Sequence, residues 1–439
     1  MGSTLAARLA RGRHDVTLVE QARARLDELA EGLDVQVVAG NGTTVEVLRQ
    51  AGIEECEVLF ACTSSDEANM VVALIGSAIF RVPRVVARLR DPDHEQSFRA
   101  IAQRMPGEHV CINPDMASVE KMFSLLPVPG AVDVVSFMDG RLFIAGFPIA
   151  PASDFCGLLL SHLNLLFPST PVLCVAIRRG EQWFVPHGED EFRAGDLAYL
   201  AIDSAELDVV LQLLAVRRGE EERVMVAGAT RIGLGLALRL EASGVDVTIV
   251  DDDPQRCQEA AAALTRAVVI DGSPTDREVL EGESVDKVQV FAACSDDHQL
   301  NVVACLLAER LGAPRSFALV DNPALSGLVG ELGIDAVISP RLLSVGLAVQ
   351  FVRRGKVRAA AALMEDVVEV LEVDVPPDSR MTQANLADLG LPRGSLVAAL
   401  MRDGRVIVPR GTDRARSGDR AVVITTADRA RALDPFLED

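Results

Sequence analysis

Short apolar runs alternate with stretches of helical periodicity along the second half of the chain. The apolar runs are rich in Val, Ile, Leu and Ala, and each is followed by apolar residues at helical spacing. Strands that alternate with helices of this length predict βαβ units, right-handed crossovers and a parallel sheet. The predicted strands are Val224–Ala227, Val245–Val250, Val268–Ile270 and Val288–Ala292, and the predicted helices are Gly233–Ser243, Pro254–Leu264 and Leu300–Leu311.

Two other regions carry short strands separated by turn signals and little helical pattern. Asp139-Gly140 and Asp403-Gly404 each lie between apolar runs, and Asp-Gly is a strong hairpin signal. We therefore predict two small α+β domains, whose strands are Asp133–Phe137, Val172–Arg178 and Gly195–Ile202 in the first, and Val367–Val373, Leu396–Met401, Arg405–Val408 and Gly418–Thr425 in the second.

The two halves of the chain repeat each other. Val16–Glu20 (VTLVE) reappears as Val247–Asp251 (VTIVD), and Gly40–Leu48 (GNGTTVEVL) reappears as Gly272–Leu280 (GSPTDREVL). Phe60-Ala61 followed by Asn69–Ala73 also has its counterpart, in the same order, after residue 290. Three matching blocks at a nearly constant offset indicate a duplicated unit of about 230 residues.

Together these patterns predict an α/β chain with two doubly wound Rossmann-type parallel-sheet domains, each followed by a small α+β domain. A chain of 439 residues, 49% of them hydrophobic, can form several separate cores. The predicted Rossmann domains are residues 1–117, lacking the first strand, and 217–345, and the predicted small domains are residues 118–216 and 346–439.

A glycine-containing turn follows the first strand of the second repeat. In dinucleotide-binding folds the first glycine makes the turn, the second admits the pyrophosphate and the third lets helix pack on strand. Gly228 and Gly233 occupy the first and third positions, and Thr230 occupies the second. Asp251 ends the next strand, where an acidic residue meets the ribose hydroxyls. The pattern predicts a nucleotide crevice, although a Rossmann domain that has lost its ligand and serves as a scaffold has the same pattern.

The first repeat has no such turn. When Gly2 is aligned with Gly233, Glu20 falls opposite Asp251, so a strand and two glycines would have to precede Met1. In the order 3-2-1-4-5-6 that strand is central, and we expect an open slot with unpaired backbone groups between strands 2 and 4. We expect that this sequence starts late, through truncation or a misplaced start codon. The alternative is a first domain that is damaged or borrows a strand.

Further polar residues follow the later strands of the first repeat, where side chains face the ligand crevice. Thr63 and Ser64 are candidates to hydrogen-bond the nucleoside half, and Asp66 is a candidate for either a ligand contact or a helix cap. We assign the cap to Ser65. Arg88 is a candidate phosphate ligand, with an ordinary exposed arginine as the alternative.

Charge and hydropathy limit the partners. The formal net charge of −21 repels nucleic-acid backbones and anionic lipids. The longest apolar stretches are shorter than the roughly 20 residues of a membrane span, and Arg8, Arg11 and Arg13 argue against a signal peptide. We predict a cytoplasmic protein with no nucleic-acid partner and no direct membrane insertion.

Residues typical of catalytic or metal sites form no pattern. The eight cysteines contain no CxxC pair, as expected of reduced thiols in a cytoplasmic protein. A dehydrogenase needs a proton-transfer group at its substrate, but the six histidines are dispersed, Tyr199 lies in a predicted strand and only three lysines are present. We predict no catalytic and no metal site, and keep an NAD-dependent oxidoreductase as the alternative.

In the order of its motifs the chain resembles the Trk potassium-uptake peripheral proteins (TrkA), which are tandem regulator-of-K+-conductance (RCK) proteins. Besides the repeated blocks, the resemblance rests on CTSSDEANM at 62–70, RLRDP at 88–92, INPD at 112–115, ISPR at 338–341 and the GD pairs at 195–196 and 418–419. It covers essentially the whole chain and implies two units, each an NAD-binding Rossmann domain followed by a small C-terminal domain.

The resemblance also implies ligands and partners. Such proteins bind NAD(H), in some cases ATP or ADP, and dock as dimers or tetramers beneath a potassium channel or transporter subunit, at the inner face of the plasma membrane. The expected function is a nucleotide-binding regulatory subunit that gates potassium uptake, and a regulator of another cation transporter is an alternative. Which nucleotide activates, and whether both sites bind, stays open. The implied contacts are Glu20, Asp66 and Arg88 in the first site and Gly228, Gly233 and Asp251 in the second, with Thr230 in the loop and His298 at the position of Asp66 as departures.

Overall fold

The architecture is given by a computed structural model. It describes all residues except those at positions 13, 23, 25, 27–31, 168–171, 181, 217–222, 323–328, 330–331, 353–356, 364–367, 427–428 and 438–439. The chain divides into two compact units. One consists of Met1–Ala117 with Pro340–Arg354, and the other of Ser118–Ser339 with Gly355–Asp439.

Within its described residues, the first repeat begins with five α-helices and five parallel strands. The helices are α1 (Gly2–Arg11), α2 (Val45–Gln50), α3 (Asp66–Ala78), α4 (Pro92–Ala102) and α5 (Pro114–Leu125). The strands are β1 (Thr17–Glu20), β2 (Gln36–Ala39), β3 (Val58–Ala61), β4 (Arg84–Arg88) and β5 (Glu108–Ile112).

These five strands form two separate sheets. One contains β1 and β2, and the other has the order β3-β4-β5. Within the described residues, no strand pairs with both β1 and β3. The sheet is therefore divided at the place where the sequence predicts a slot between strands 2 and 4, and the open slot itself stays a prediction.

The first small domain is an antiparallel sheet with short helices. Its strands are β6 (Asp133–Phe137), β7 (Leu142–Pro148), β8 (Leu173–Arg179), β9 (Gln182–Phe184) and β10 (Leu197–Asp203), in the order β6-β7-β10-β8-β9. Its helices are α6 (Leu163–Leu166) and α7 (Leu207–Leu213). Met138 and Asp139 have positive φ in the turn between β6 and β7, which confirms the predicted hairpin.

The second repeat contains an uninterrupted sheet of six parallel strands. They are β11 (Arg223–Ala227), β12 (Asp246–Asp251), β13 (Val268–Asp271), β14 (Val290–Ala293), β15 (Ser316–Leu319) and β16 (Ala336–Ile338). Their order, β13-β12-β11-β14-β15-β16, is the predicted 3-2-1-4-5-6 order. The described helices are α8 (Arg231–Ala242), α9 (Pro254–Ala263), α10 (Arg277–Gly282), α11 (His298–Arg310) and α12 (Pro340–Val352).

The second small domain has the same strand topology as the first. Its strands are β17 (Val357–Leu363), β18 (Val368–Asp374), β19 (Leu396–Arg402), β20 (Arg405–Ile407) and β21 (Arg420–Thr426), and α13 (Asp434–Leu437) ends it. Asp403 and Gly404 both have positive φ in the two-residue turn between β19 and β20, as a type I′ hairpin requires. The first residue of the predicted strand Val367–Val373 lies outside the described residues.

The two small domains share one hydrophobic core. Phe137, Val175 and Tyr199 of the first pack in one buried cluster with Val370 and Val422 of the second. A buried carboxylate links the two small domains at the edge of this core. Glu372 of the second domain accepts a hydrogen bond from the backbone amide of Met138 in the first, at 3.0 Å. The Arg420 guanidinium donates to the carboxylates of Glu372, at 3.1 Å, and of Asp139, at 2.7 Å.

The helix that follows each Rossmann sheet is paired with the other repeat. In one unit, Val345 and Ala348 of α12 are buried against Leu5 and Leu9 of α1. In the other, the sulfur of Met122 in α5 lies 3.7 Å from that of Cys294. The compact units therefore group the chain differently from the four sequence domains. Their boundaries stay a prediction, and the one at 216/217 adjoins residues 217–222, outside the described part.

Two arginines at equivalent positions fix the ends of these helices. Arg84 donates to the carbonyl oxygens of Phe351 (2.9 Å) and Val352 (3.0 Å) at the end of α12. Arg315, its equivalent in the second repeat, donates to the carbonyl of Leu125 at 3.0 Å, at the end of α5. A cation at a helix C-terminus satisfies carbonyls without an intrahelical partner.

Candidate functional site

The glycine turn of the second repeat has the tight geometry predicted for it. Gly228 has φ +107°, and a Cβ added there would lie 2.7 Å from the amide nitrogen of Ser295. A Cβ on Gly233 would lie 1.9 Å from the carbonyl oxygen of Gly228. The chain therefore needs glycine at the turn between β11 and α8 and at the contact between that helix and the turn.

Thr230 fills the position of the middle glycine with a hydrogen-bonded side chain. It is the N-cap of α8, and its Oγ1 accepts the amide of Gly233 at 3.3 Å. The same hydroxyl donates to the carbonyl of Cys294 at 2.6 Å. One of the helix N-terminal donors that a phosphate would use is thus occupied by the protein itself.

Asp251 lies at the end of β12, as predicted, and is only 3% exposed. Its Oδ2 accepts the amide of Ala229 in the glycine turn at 2.6 Å, and its Oδ1 accepts the amide of Asp253 at 2.8 Å. Arg256 of α9 is 3.1 Å from Oδ1 and 3.7 Å from Asp296. The carboxylate is therefore oriented by the turn on one side and by an arginine on the other.

The second repeat also has a cavity of about 500 Å3, which is lined by Asp296, Asp297, His298, Gln299 and Asn322. It lies past the carboxyl ends of β14 and β15. Asp297 caps α11 by accepting the amides of Gln299 and Leu300, and His298 Nδ1 lies 3.3 Å from the carbonyl of Leu319. Sequence reasoning singled out only His298 here. The adjacent acids, visible as Ser295–His298 (SDDH), repel phosphate and suit hydroxyl donors.

In the first repeat, Glu20 ends β1 at the position equivalent to Asp251. Its Oε1 accepts the amide of Ala22 at 2.9 Å. Gly2 begins α1, and no atom lies within 4 Å of a Cβ built on it. The close helix-to-turn contact of Gly233 therefore has no equivalent at Gly2 among the described residues.

The structure brings Thr63 and Arg88 into direct contact. Arg88 Nη1 donates to the carbonyl of Thr63 at 3.0 Å, and Ser64 beside it is exposed. Burial, followed by the charge of Arg90, lowers the pKa of the Arg88 guanidinium. This contact holds Thr63 and Arg88 together at the ends of β3 and β4, where a ligand contact was predicted, and Ser64 follows Thr63 in the chain.

Asp66 holds the loop after β4 against the start of α3. Its Oδ2 accepts the amides of Arg90 (2.7 Å) and Asp91 (2.8 Å), and His94 Nδ1 is 3.7 Å away. Ser65, rather than Asp66, is the helix cap and accepts the amide of Ala68, which confirms the assignment of the cap. Asp66 thus has a positioning role in this structure, and its contact with a ligand stays a prediction.

Sequence reasoning did not assign a role to one residue that is equivalent in both crevices. Buried Asn69 accepts the amide of Thr63 (2.7 Å) and donates to the carbonyl of Arg88 (2.8 Å). Asn301, its counterpart in the second repeat, accepts the amide of Ser295 (2.9 Å) and donates to the carbonyl of Leu319 (2.9 Å). Each asparagine joins the ends of two strands. The signal was available, because both asparagines open a repeated block.

Other chemistry has little support in the described part of the chain. No group of three or more His, Cys, Asp or Glu residues there is arranged to hold a metal ion. None of the helices described is long and apolar enough to cross a bilayer. The eight cysteines are free thiols, and burial raises the pKa of Cys62 to about 11.

The fold and the two crevices define a tandem α/β protein with two Rossmann-type domains, each followed by a small α+β domain. A family profile described as the TrkA-N domain matches residues 1–105 and 224–340, and one described as the TrkA-C domain matches residues 370–438. The matches fall on both Rossmann domains and on the second small domain.

Relatives match over nearly the full length. A Trk system potassium uptake protein TrkA of Azorhizobium caulinodans is 34% identical, covering 99% of this chain and 96% of the relative. One of Halomonas elongata is 30% identical, covering 99% and 95%. A TrkA homologue of Methanosarcina mazei is 26% identical, covering 97% and 95%. The chain belongs to the family of Trk system potassium uptake proteins TrkA.

Solved structures show the same fold. The GsuK RCK domain superposes with a TM-score of 0.58 at 20% identity, covering 99% of this chain and 92% of that one. The GsuK channel bound to NAD superposes with a TM-score of 0.60 at 18% identity, covering 99% and 76%. The family assignment confirms the predicted tandem RCK fold and places the chain among regulatory proteins of potassium transport, not among oxidoreductases.

Proposed function

We propose that this protein is a nucleotide-binding regulatory subunit that gates a membrane potassium-uptake channel or transporter. NAD(H), or alternatively ATP or ADP, binds in the Rossmann crevices. The observation that carries the proposal is the arrangement of Gly228, Ala229 and Asp251, in which a glycine turn and a buried carboxylate meet at the carboxyl ends of β11 and β12. That is where parallel α/β sheets bind ligands.

The residues fit the nucleoside half better than the phosphates. Asp251 is oriented to accept from a ribose hydroxyl, since a carboxylate has acceptor capacity beyond its two amide bonds. The amide donors of Ala229 and Gly233 are already used by Asp251 and Thr230. The phosphates of a ligand in the second crevice must therefore displace these hydrogen bonds or bind to other donors. The first crevice supplies Glu20, Thr63, Ser64 and Arg88, and Arg88 is suited to a phosphate.

Regulation follows from linkage. A nucleotide shifts a channel gate only by the difference between its affinities for the two shapes of the regulator. We propose that the chain docks as a homo-oligomer on a membrane subunit, at the cytoplasmic face of the membrane. Potassium is favoured over other cations because each of the three relatives described above is named as a potassium uptake protein.

Calorimetric titration of the full chain with NADH, NAD, ATP and ADP tests the ligand. We expect at least one to bind, and Asp251→Asn to weaken binding in the second crevice by about tenfold or more, the equivalent of about 1.4 kcal/mol. Asp271→Asn is the matched control, because Asp271 pairs with Asp251 in register but is exposed at the end of β13. Glu20→Gln tests the first crevice in the same way.

Two outcomes count against the proposal. Absence of heat with all four nucleotides favours a scaffold that has lost its ligand. Equal loss of binding in Asp251→Asn and Asp271→Asn assigns the effect to general electrostatics rather than to the crevice. Co-purification with a potassium-transporting membrane subunit, with and without nucleotide, tests the partner, and retention of an unrelated cation transporter in its place contradicts the potassium assignment.

A further inference from the structure

The loop before the last long strand contains a buried aromatic residue in the first small domain and none at the equivalent position of the second. In the first, Phe192 is fully buried and its ring packs edge-on against Phe155, with centroids 5.3 Å apart. Ala415 occupies the equivalent position of the second domain. The same alignment places the ion pair Arg402–Asp419 opposite Arg179–Asp196. The second domain therefore lacks a phenyl ring where the first has one.

A cavity of about 620 Å3 lies at this place in the second small domain. Ala415 lines it together with Thr412, Ser417, Arg402, Arg414 and Arg416. Small-molecule sites in proteins have volumes of roughly 300–1,000 Å3. The cavity is therefore large enough for a metabolite, and its polar lining is mainly cationic and hydroxylic.

The loop that lines the cavity has reversed its charge relative to the first domain. Residues 185–197 contain four carboxylates and one arginine, whereas residues 408–420 contain four arginines and two carboxylates. Thr412 and Arg414 replace Glu189 and Glu191. The change runs against a chain with a net charge of −21. Loss of a ring and gain of arginines thus coincide in one loop.

Not every arginine of the cavity is available to a ligand. Arg402 makes two bonds to Asp419, at 2.9 and 2.7 Å, as Arg179 does to Asp196 in the first domain. Among the described contacts, the Arg414 guanidinium uses only its Nε, which donates to the carbonyl of Thr382 at 2.5 Å. No described side chain makes a hydrogen bond or ion pair with the Arg416 guanidinium. The carboxylate of Asp413, which also lines the cavity, accepts the amide of Arg410 at 2.6 Å.

We propose that this cavity binds a phosphate-bearing small molecule. Arg414 and Arg416 bind its phosphate oxygens, because guanidinium groups present paired donors that match phosphate geometry. The hydroxyls of Thr412 and Ser417 complete the set of donors. The site is separate from the Rossmann crevices and belongs to the second small domain, so it does not depend on the proposed nucleotide binding.

Calorimetric titration of the full chain with pyrophosphate in phosphate-free buffer tests the proposal. We expect binding to the wild type, and at least about a tenfold loss of affinity in Arg416→Glu and in Arg414→Glu. Arg193→Glu is the matched control, because Arg193 is the equivalent of Arg416 in the first small domain and is also exposed. This control, and Arg405→Glu at an exposed arginine outside the cavity, should retain the wild-type affinity.

Filling the cavity provides an independent test. Ala415→Phe installs the residue of the first domain and should abolish pyrophosphate binding while the charges stay in place. Because Ala415 is buried, the unfolding transition of Ala415→Phe is measured as well. If Ala415→Phe does not fold, the variants at the two exposed arginines, Arg414 and Arg416, test the proposal. Acetate at the same concentration should give no heat if phosphate geometry is what the cavity recognises.

Three results overturn the proposal: no heat with pyrophosphate, unchanged affinity in both arginine variants, or equal loss in the Arg193→Glu control. Unchanged affinity places the anion elsewhere, for example at the glycine turn. Failure of the nucleotide proposal is distinguishable, since it leaves nucleotide binding insensitive to Asp251→Asn and Glu20→Gln and leaves the response of pyrophosphate binding to Arg416→Glu intact.

Discussion

The two Rossmann crevices of this chain keep the same framework and differ at the end where dinucleotide-binding folds hold phosphates. Asn69 and Asn301 join the ends of neighbouring strands in the same way in both. The second crevice has its glycine turn, but Thr230 and Asp251 hold two of the turn's amides. The first crevice has Arg88 past its sheet end, whereas its sheet is divided between β1 and β3.

The comparison shows which part of a duplicated site tolerates change. The asparagines are buried and fully bonded, so replacing either leaves unsatisfied backbone groups at two strand ends. Apart from Gly228 and Gly233, the phosphate end is formed by short loops at the edge of the sheet, and substitutions there cost the fold less. Ligand preference can therefore diverge between repeats while the framework is retained.

The largest difference in stability between the repeats is expected when alanine replaces the glycine at which the helix contacts the turn. Gly233→Ala should destabilise the second Rossmann sheet by about 4 kcal/mol, because backbone oxygen cannot move cheaply out of the path of the new Cβ. Gly2→Ala, the equivalent change, should be neutral or stabilise α1 slightly, because open space surrounds it. Urea unfolding with hydrogen exchange of β11 measures both, and equal effects contradict the assigned difference.

The two arginines that bind the helix ends, Arg84 and Arg315, should also contribute unequally to stability. Arg315 is 7% exposed, and burial lowers its pKa to about 10. Arg315→Ala should lower the free energy of unfolding by about 3 kcal/mol, because the carbonyl of Leu125 loses its donor and the partly buried carboxylate of Asp335 loses a nearby cation. Arg84→Ala should lower the free energy of unfolding by only about 1 kcal/mol, because Arg84 is less buried. Urea unfolding at pH 7 compares them, and a larger loss at Arg84 contradicts the prediction.

The pH dependence of Arg315→Ala provides a check of its cause. Burial raises the pKa of Asp335 above its ordinary value, and the charge of Arg315 opposes that rise. Loss of Arg315 raises this pKa further, so the ionised carboxylate should destabilise the variant most above the folded pKa. The deficit should shrink as the pH falls below it. A deficit independent of pH would assign the loss to packing instead.

Restoring glycine at the phosphate turn should bring the second crevice closer to a dinucleotide site. Thr230→Gly frees the amide of Gly233 and removes the bond to Cys294, at a capping cost of a few tenths of a kcal/mol. We expect NADH to bind about tenfold more tightly, a gain of about 1.4 kcal/mol. Thr230→Ser keeps the cap and should leave the affinity unchanged. Unchanged binding in Thr230→Gly shows that the hydroxyl is not the obstacle.

The smallest expected effects concern the helix caps beside the two crevices. Asp297→Ala removes bonds to the amides of Gln299 and Leu300, and a negative charge from a helix N-terminus. Ser65→Ala removes one bond to Ala68. We expect the free energy of unfolding to fall by about 1.5 kcal/mol in Asp297→Ala and by about 1 kcal/mol in Ser65→Ala. Thermal unfolding measures both, and the reverse order contradicts the contribution assigned to the charge.

Local chemistry determined what the sequence could predict. Apolar periodicity located the strands and helices to within a few residues, and the repeat offset located equivalent positions in the two halves. The gap in the first sheet followed from aligning Gly2 with Gly233. Asp-Gly pairs predicted the hairpins, and strand–turn–helix spacing predicted the places of Gly228 and Asp251. These features depend on neighbours in the chain, which a sequence displays directly.

Contacts between distant residues were decided only by the tertiary structure. The bonds of Thr230 to Cys294 and of Arg315 to Leu125 join residues that lie far apart in the chain. The pairing of α12 with α1 and the cavity beside Ala415 likewise depend on which surfaces meet. Burial and hydrogen-bond partners come from packing in three dimensions, and periodicity along the chain does not encode them. The sequence alone therefore predicted two unequal crevices, and the tertiary structure decided which side chains and backbone amides pair within each one.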